Sequence, residues 1–445
     1  MEIGSANYWK PNGNAFVGDC MAFCKDGIFH VYYLFDIGHH NHPTVGDMGG
    51  HQWYHLTSTD LIHWSQHGAA LPLDFEAGET SNCTGSVLAW QGKVYAFYAL
   101  RSRFFGGEHF RIAVSEDDGY TFPKRITPDL PTPPSAHGAF RDPHAFIGED
   151  GQIHILIASG ASADDPANPF VSGEVAHYVT SDMEHFTKLP PLMHAYSVPE
   201  CCDYFKMGKY YYHTCNYHWQ TYIRMSEKPF GPWTVPQQEV PASRFCAVMK
   251  TAEWTGGRRI GVGWIPACVN GAHQFGGYMT FREIVQNPDG SLGTKFVSEM
   301  LPQNAPRTFE DMTLDSKDEC TVMKTLARAS GNFLLEGTIA FQPGTFEFGV
   351  IAAWDEPGYW KKAAFDPLAA TASLSPFDLI TRVPMDPAGV PFKLVRHGDI
   401  LDLEINGNRT IVAASFDHPG NIFLSLFVRN GKTAFKDLKL ICGGI

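Results

Sequence analysis

Long amphipathic helical runs are missing from this 445-residue chain. Nowhere do apolar residues recur with the 3.6-residue period over several turns, which excludes a helical bundle or coiled coil. Charge is sparse at 18% while aromatic residues reach 13%, a balance that excludes a disordered chain. Basic residues are the minority, 34 Lys and Arg against 47 Asp and Glu for a net charge of -13. An acidic surface repels phosphate backbones and anionic lipid, so neither nucleic acid nor a membrane surface is an expected partner. No uninterrupted apolar run reaches the length of a membrane span. The first 13 residues carry no basic segment followed by an apolar one, so no secretory signal is expected. The ten cysteines are scattered without a CxxC pair. That argues against zinc and against a disulfide framework, and it suits buried thiols in a reducing, cytoplasmic compartment.

What is present is a succession of short β-rich runs closed by turns. Ile28–Phe35, Lys93–Leu100, 152–158 and Lys209–Thr214 each follow a Gly-containing turn, namely Asp26-Gly27, Gln91-Gly92, Asp150-Gly151 and Met207-Gly208. Such turns between two β runs predict hairpins. Four segments carry a Ser, then acidic residues, then an aromatic. They begin at Ser58, Ser115, Ser181 and Ser226, 57, 66 and 45 residues apart. A hairpin plus one such segment makes a four-stranded unit, and a period near 50 with four strands per unit predicts a β-propeller. Room to about residue 298 gives five blades. Beyond it, Pro302, Pro306 and the charged stretch Glu310–Glu319 predict a linker over 299–320. The alternating runs Phe333–Phe341, Phe346–Ala353, Leu401–Ile405, Thr410–Ala414 and Ile422–Val428, with an Asn406-Gly407 hairpin turn, predict a β-sandwich over 321–445. The expected fold is thus all-β, a five-bladed β-propeller over 1–298 followed by a C-terminal β-sandwich.

A propeller gathers functional groups on its innermost strands, around the axis. Three acids each precede a blade-opening hairpin: Asp19 in Val17-Gly18-Asp19-Cys20, Asp142 in Phe140-Arg141-Asp142-Pro143, and Glu200 in Pro199-Glu200-Cys201-Cys202. Equivalent places in successive blades converge on one axis, which predicts a three-carboxylate pocket. Neighbouring carboxylates titrate apart, one held protonated and another ionised beside a cation, here Arg141. A protonated acid facing an ionised carboxylate across a sugar is the arrangement for glycoside cleavage.

In order along the chain, the segment Gly50-His51-Gln52-Trp53-Tyr54-His55 through Trp64, then Thr84-Gly85-Ser86, Arg141-Asp142-Pro143, Glu200-Cys201, Ile260–Trp264 and Phe275–Glu283 resemble the motifs of glycoside hydrolase family 32, the β-fructosidases. The resemblance implies a retaining double displacement on β-fructofuranosidic linkages of sucrose or short fructans. Asp19 would be the nucleophile and Glu200 the acid/base, with Asp142 and Arg141 holding fructose hydroxyls. The cysteine after Glu200 would pack against that acid and raise its pKa. The family's first motif is usually asparagine–aspartate–proline–asparagine–glycine, but Lys10 stands before Pro11-Asn12-Gly13. Counting back from the Gly27 turn selects Asp19 instead, and Cys20-Met21-Ala22 after it points to unusual specificity.

Trp53 and Trp264 are candidates to stack on a sugar face, and His55 and Ser86 are further substrate-binding candidates from the same motifs. His39-His40-Asn41-His42 is expected at the pocket rim or in a solvated loop, with no metal. Tyr217, His218 and Trp219 are candidates for the leaving-group side. No cofactor is expected, the partner is a small sugar or oligosaccharide, and oligomeric state is left open. Three other readings share these residues: a fructosyl- or difructose-forming transferase, an inverting arabinofuranosidase-like propeller, and a carbohydrate-binding propeller without turnover.

Overall fold

The computed structural model describes the chain apart from residues 48, 132–138, 161–171, 330, 377–378, 419 and 444–445. Its hairpins close where the glycines stand. Asp26 and Gly27 have φ of 50° and 75°, and Gln91 and Gly92 have 46° and 75°. Positive φ at both central residues matches a two-residue turn to the twist of its strands.

After the short strand β1 (Glu2–Ile3), the first blade is β2 (Ala15–Lys25), β3 (Ile28–Ile37), β4 (Gln52–Ser58) and β5 (Trp64–Leu71), with β1 on its outer edge. The second is β6 (Glu79–Trp90), β7 (Lys93–Ser102), β8 (Phe105–Ser115) and β9 (Lys124–Ile126). The third is β10 (Phe140–Ile147), β11 (Ile153–Gly160), β12 (Gly173–Thr180) and β13 (Thr187–Ala195). The fourth has β14 (Glu200–Met207), β15 (Tyr210–Tyr217) and β16 (Gln220–Ser226), with a single bridge from Met225 to Thr234 in place of a fourth strand. The fifth is β17 (Ala247–Trp254), β18 (Arg258–Val269) and β19 (Ala272–Gln286), with β20 (Leu292–Lys295) paired to β19. The innermost strands form a closed ring, β2 against β6, β6 against β10, β10 against β14, β14 against β17 and β17 against β2. This is a five-bladed propeller. Aromatic and aliphatic side chains fill the wedges between blades, with Trp53, Tyr32 and Tyr98 between the first two and Phe97, Phe140 and Tyr178 between the next two.

The recurring Ser and acid are turn caps. The Ser58 hydroxyl accepts the Leu61 N–H at 2.8 Å, while Asp60 accepts the N–H groups of Ile62 and His63, both at 2.8 Å. Ser115 and Asp117 repeat the device. In the third blade the hydroxyl is that of Thr180, one residue before the expected Ser181. Short polar side chains that bond their own backbone favour such turns.

Contacts divide the chain into two compact units, one of Met1–Val240, Ala247–Trp264 and Phe275–Leu292, the other of Pro241–Cys246, Ile265–Gln274 and Gly293–Ile445. The second unit holds the β-sandwich: β21 (Arg307–Thr308), β22 (Met312–Ala329), β23 (Phe333–Phe341), β24 (Glu347–Trp354), β25 (Trp360–Asp366), β26 (Thr371–Ser375), β27 (Leu379–Arg382), β28 (Val390–His397), β29 (Ile400–Ile405), β30 (Arg409–Ala414) and β31 (Ile422–Cys442). The first part of β31 pairs with β24 and its last part with β23, the change falling at Asn430 and Gly431, whose φ values are 45° and 143°. The stretch 299–320 is not the linker expected from its charges. Arg307–Thr308 and Met312–Ser316 pair with β31. Leu314 and Ser316 are buried while Thr313, Asp315 and Lys317 are exposed, so these charges belong to the outer face of a half-buried strand.

Candidate active site

One defect recurs in every innermost strand. The pairing slips between Val17 and Cys20, Asn82 and Gly85, Arg141 and His144, Glu200 and Asp203, and Ala247 and Lys250, each time setting two residues against one on the neighbouring strand. These are β-bulges, which bend a strand and re-aim its side chains. Asp142, Cys201 and Val248, each the first bulged residue, have φ of 55°, 50° and 50°. The expectation that the three acids hold equivalent places is thereby refined. All three sit at the bulge level, but Glu200 precedes its bulge, Asp142 is first in its own and Asp19 is second. Gly18 ahead of Asp19 is required by space, since a Cβ there would lie 2.9 Å from the Phe275 ring.

The bulges open onto a cleft of about 220 Å³ whose lining includes Asp19, Asp142, Glu200, Arg141, Arg101 and Glu108. Asp19 is buried. Thr84 Oγ1 donates to its Oδ2 at 2.6 Å and Trp264 Nε1 to its Oδ1 at 2.9 Å. Burial raises its pKa, and these two donors oppose the rise. Cys201 ties the trio together. Its backbone N–H donates to Asp142 Oδ2 at 3.1 Å, and its sulfur lies 3.7 Å from Asp19 Oδ2. The thiol therefore touches Asp19 rather than Glu200 as expected, and burial pushes its own pKa well up, so it is no nucleophile.

Arg141 reaches three acids. Nη2 donates to Glu200 Oε1 at 2.7 Å, Nη1 to Glu108 Oε2 at 3.1 Å, and Nε lies 3.7 Å from Asp142 Oδ2. Burial pushes Asp142 up to about 7, Arg141 pulls against it, and Glu200, Glu108 and Asp19 push the same way as burial. Glu108, buried, is held on its other side by Arg101, whose Nε donates at 3.0 Å. Of the catalytic candidates Glu200 is the one open to solvent, its side chain 42% exposed.

The family model for the N-terminal domain of glycosyl hydrolases family 32 matches residues 14–254, over half of the chain. This protein belongs to glycoside hydrolase family 32. It is similar to sucrose-6-phosphate hydrolase of Klebsiella pneumoniae, 26% identical over 149 residues, 33% of this chain and 30% of that one. It is also similar to fructan beta-fructosidase of Streptococcus mutans, 30% identical over 145 residues, 30% of this chain and 9% of that one. The matched stretches thus span less than a third of either relative. Its fold is similar to that of exo-inulinase from Aspergillus awamori, with a TM-score of 0.73, 15% identity, and coverage of 98% of this chain and 97% of that one.

Several predicted contacts of this family 32 chain lie elsewhere. Trp53 is fully buried between the first two blades, its Nε1 donating to the Cys83 carbonyl at 2.9 Å, so it has no face for a sugar. His55 is fully buried, bonded to His30 at 3.0 Å and stacked on Tyr32. Ser86 Oγ accepts the Ala145 N–H at 2.9 Å and fastens the second blade to the third. Trp264 is fully buried, its ring packed against Trp219 and Phe275, so it positions Asp19 instead of stacking on substrate. Alternation along the strands points these side chains into the blade wedges, and a motif does not say which face it occupies. Trp219 lines the cleft, and so does His40, but not His39 or His42. Asn12 and Gly13 are exposed in a turn whose carbonyls are drawn together by Lys10. Cys20 and Met21 are buried in β2. Sequence reasoning passed over Arg101 and Glu108. Their signal was opposite charges facing across the turn between β7 and β8, in a chain where charge is sparse at 18%.

Proposed function

We propose that this protein is a retaining β-fructofuranosidase acting on sucrose or short fructans. The observation that carries the reading is Asp19, a buried carboxylate with each oxygen fixed by a donor, in one cleft with Glu200 on the solvent side. Asp19 attacks the anomeric carbon and forms a fructosyl-enzyme ester. Glu200 gives its proton to the leaving oxygen and then takes one from the incoming water. Asp142 and Arg141 hold fructose hydroxyls, and the negative field of the acids favours the oxocarbenium-like transition state. Arg141 holds Glu200 through Oε1, which leaves Oε2 to face the leaving oxygen. The relatives' names, which concern sucrose-6-phosphate and fructan, support the substrate class.

The test is incubation with sucrose, inulin and levan oligosaccharides, with the sugars and the anomer of the first product identified. Release of fructose with retained configuration is expected. Asp19→Asn should abolish turnover, and Glu200→Gln should lower it by about 10²–10⁴-fold. Inverted configuration would favour the arabinofuranosidase-like mechanism, and accumulation of longer sugars at high substrate the transferase. Binding without any turnover would overturn the assignment.

A further inference from the structure

We propose that Asp36, His40 and His51 form a binding site for a divalent transition-metal ion on the wall of the cleft, with its remaining positions open to water or sugar hydroxyls. Asp36 lies near the end of β3, His51 immediately precedes β4, and His40 lies in the loop joining them. Each residue offers one ligand atom, and the three atoms lie within 4.8 Å of one another. Asp36 Oδ1 and His51 Nε2 are 3.0 Å apart. Metal–nitrogen and metal–oxygen bonds of about 2.0–2.2 Å place neighbouring ligands of an octahedral ion roughly 3 Å apart, and those of a tetrahedral ion roughly 3.4 Å apart. Two of the three ligands therefore already stand at ligand spacing, and the His40 ring has to move inward only modestly.

The surroundings resemble an outer shell. His51 Nδ1 lies 3.1 Å from Ser81 Oγ, which is fully buried. Asp36 has no exposure, and its oxygens accept the backbone N–H groups of His39 and His40 at 2.9 and 3.0 Å. The His40 ring is packed edge-on to His51, 4.7 Å between centroids, and against Phe275 at 4.1 Å. Such partners fix ligand orientation and tautomer. Two imidazoles and a carboxylate suit manganese, iron, cobalt, nickel or zinc and not calcium or magnesium, which prefer oxygen donors. His40 and His51 face the cleft, where Asp19, Glu108, Asp142 and Glu200 outnumber Arg101 and Arg141. A dication there offsets that negative charge.

The competing account is a metal-free Asp36–His51 hydrogen bond that pins the loop. Titration of the full chain, stripped with chelator, with Co²⁺ separates the two. Expected are one equivalent bound with a Kd of about 10 μM or tighter and visible d–d bands without thiolate charge transfer, which keeps the ten free cysteines distinct from the site. His40→Ala and His40→Phe should each weaken binding by about tenfold or more, and two variants guard against one that does not fold. Binding weaker than about 1 mM, binding unchanged in a folded His40 variant, or a thiolate spectrum would overturn the proposal. The readout is independent of glycosidase activity.

Discussion

Asp19 is under opposing pressures. Burial favours its neutral form, whereas Thr84 and Trp264 donate to both oxygens and favour the carboxylate that the proposed attack requires. Trp264→Phe keeps an aromatic ring, smaller than the indole, and removes one donor. A hydrogen bond to a charged group is worth about 1.5–3 kcal/mol, so the inflection of kcat/KM against pH that belongs to Asp19, distinct from that of Asp142, should move up by about 1–2 units. Thr84→Val should move it in the same direction, and an unmoved inflection would show that donation does not keep Asp19 ionised. Asp142 titrates differently. Held near 7 rather than at its ordinary 3.8, it loses its proton in the range where the enzyme would work, and the ionised form accepts sugar hydroxyls. Activity should therefore climb through about pH 7. Asp142→Asn should lower kcat/KM by about 10²–10⁴-fold and erase that inflection. Stability carries the opposite sign, because the folded state keeps this proton longer than the unfolded chain does. The contribution is full below 3.8 and is lost as pH rises through about 7. Denaturant titrations across that range should show the slope in the native protein and a smaller one in Asp142→Asn.

At the scale of strands and blades, the turn glycines and the β-rich runs were legible because both act locally. A glycine at positive φ and a β-branched run need no knowledge of distant contacts. The three acids were legible as a set because repetition around an axis converts sequence period into proximity. The bulges were not. A bulge is a mismatch between two strands and leaves no mark in either alone, so the one-residue stagger among Glu200, Asp142 and Asp19 came only from the pairing. The same gap misassigned Trp53 and His55, motif residues that face a blade wedge. Trp53→Phe tests that correction. Loss of the bond to the Cys83 carbonyl should lower stability by about 1–2 kcal/mol in denaturant unfolding, with KM for sucrose or inulin unchanged. A sugar-stacking residue would instead raise KM several-fold. Charge misled over 299–320 for a related reason, since half of an edge strand's side chains face water.

The propeller as a whole depends on how the first blade meets the last. Val17 of β2 pairs with Gly277 of β19, the backbones of Tyr8 and Trp9 bond Met279, and the buried Asn7 accepts the Phe281 N–H at 3.1 Å through its side chain. The site straddles this seam, because Asp19 belongs to the first blade and its partner Trp264 to the fifth. One hydrogen bond thereby ties the ring's closure to the proposed nucleophile. Asn7→Ala strands a buried donor, which costs about 1–3 kcal/mol. If the seam also sets the Asp19–Trp264 geometry, Asn7→Ala should lose more activity than Trp53→Phe when both are fully folded, even at matched stability. Measuring kcat for the two variants well below their unfolding transitions decides the point. Equal activity would mean that the site is held within each blade and that closing the ring contributes stability alone.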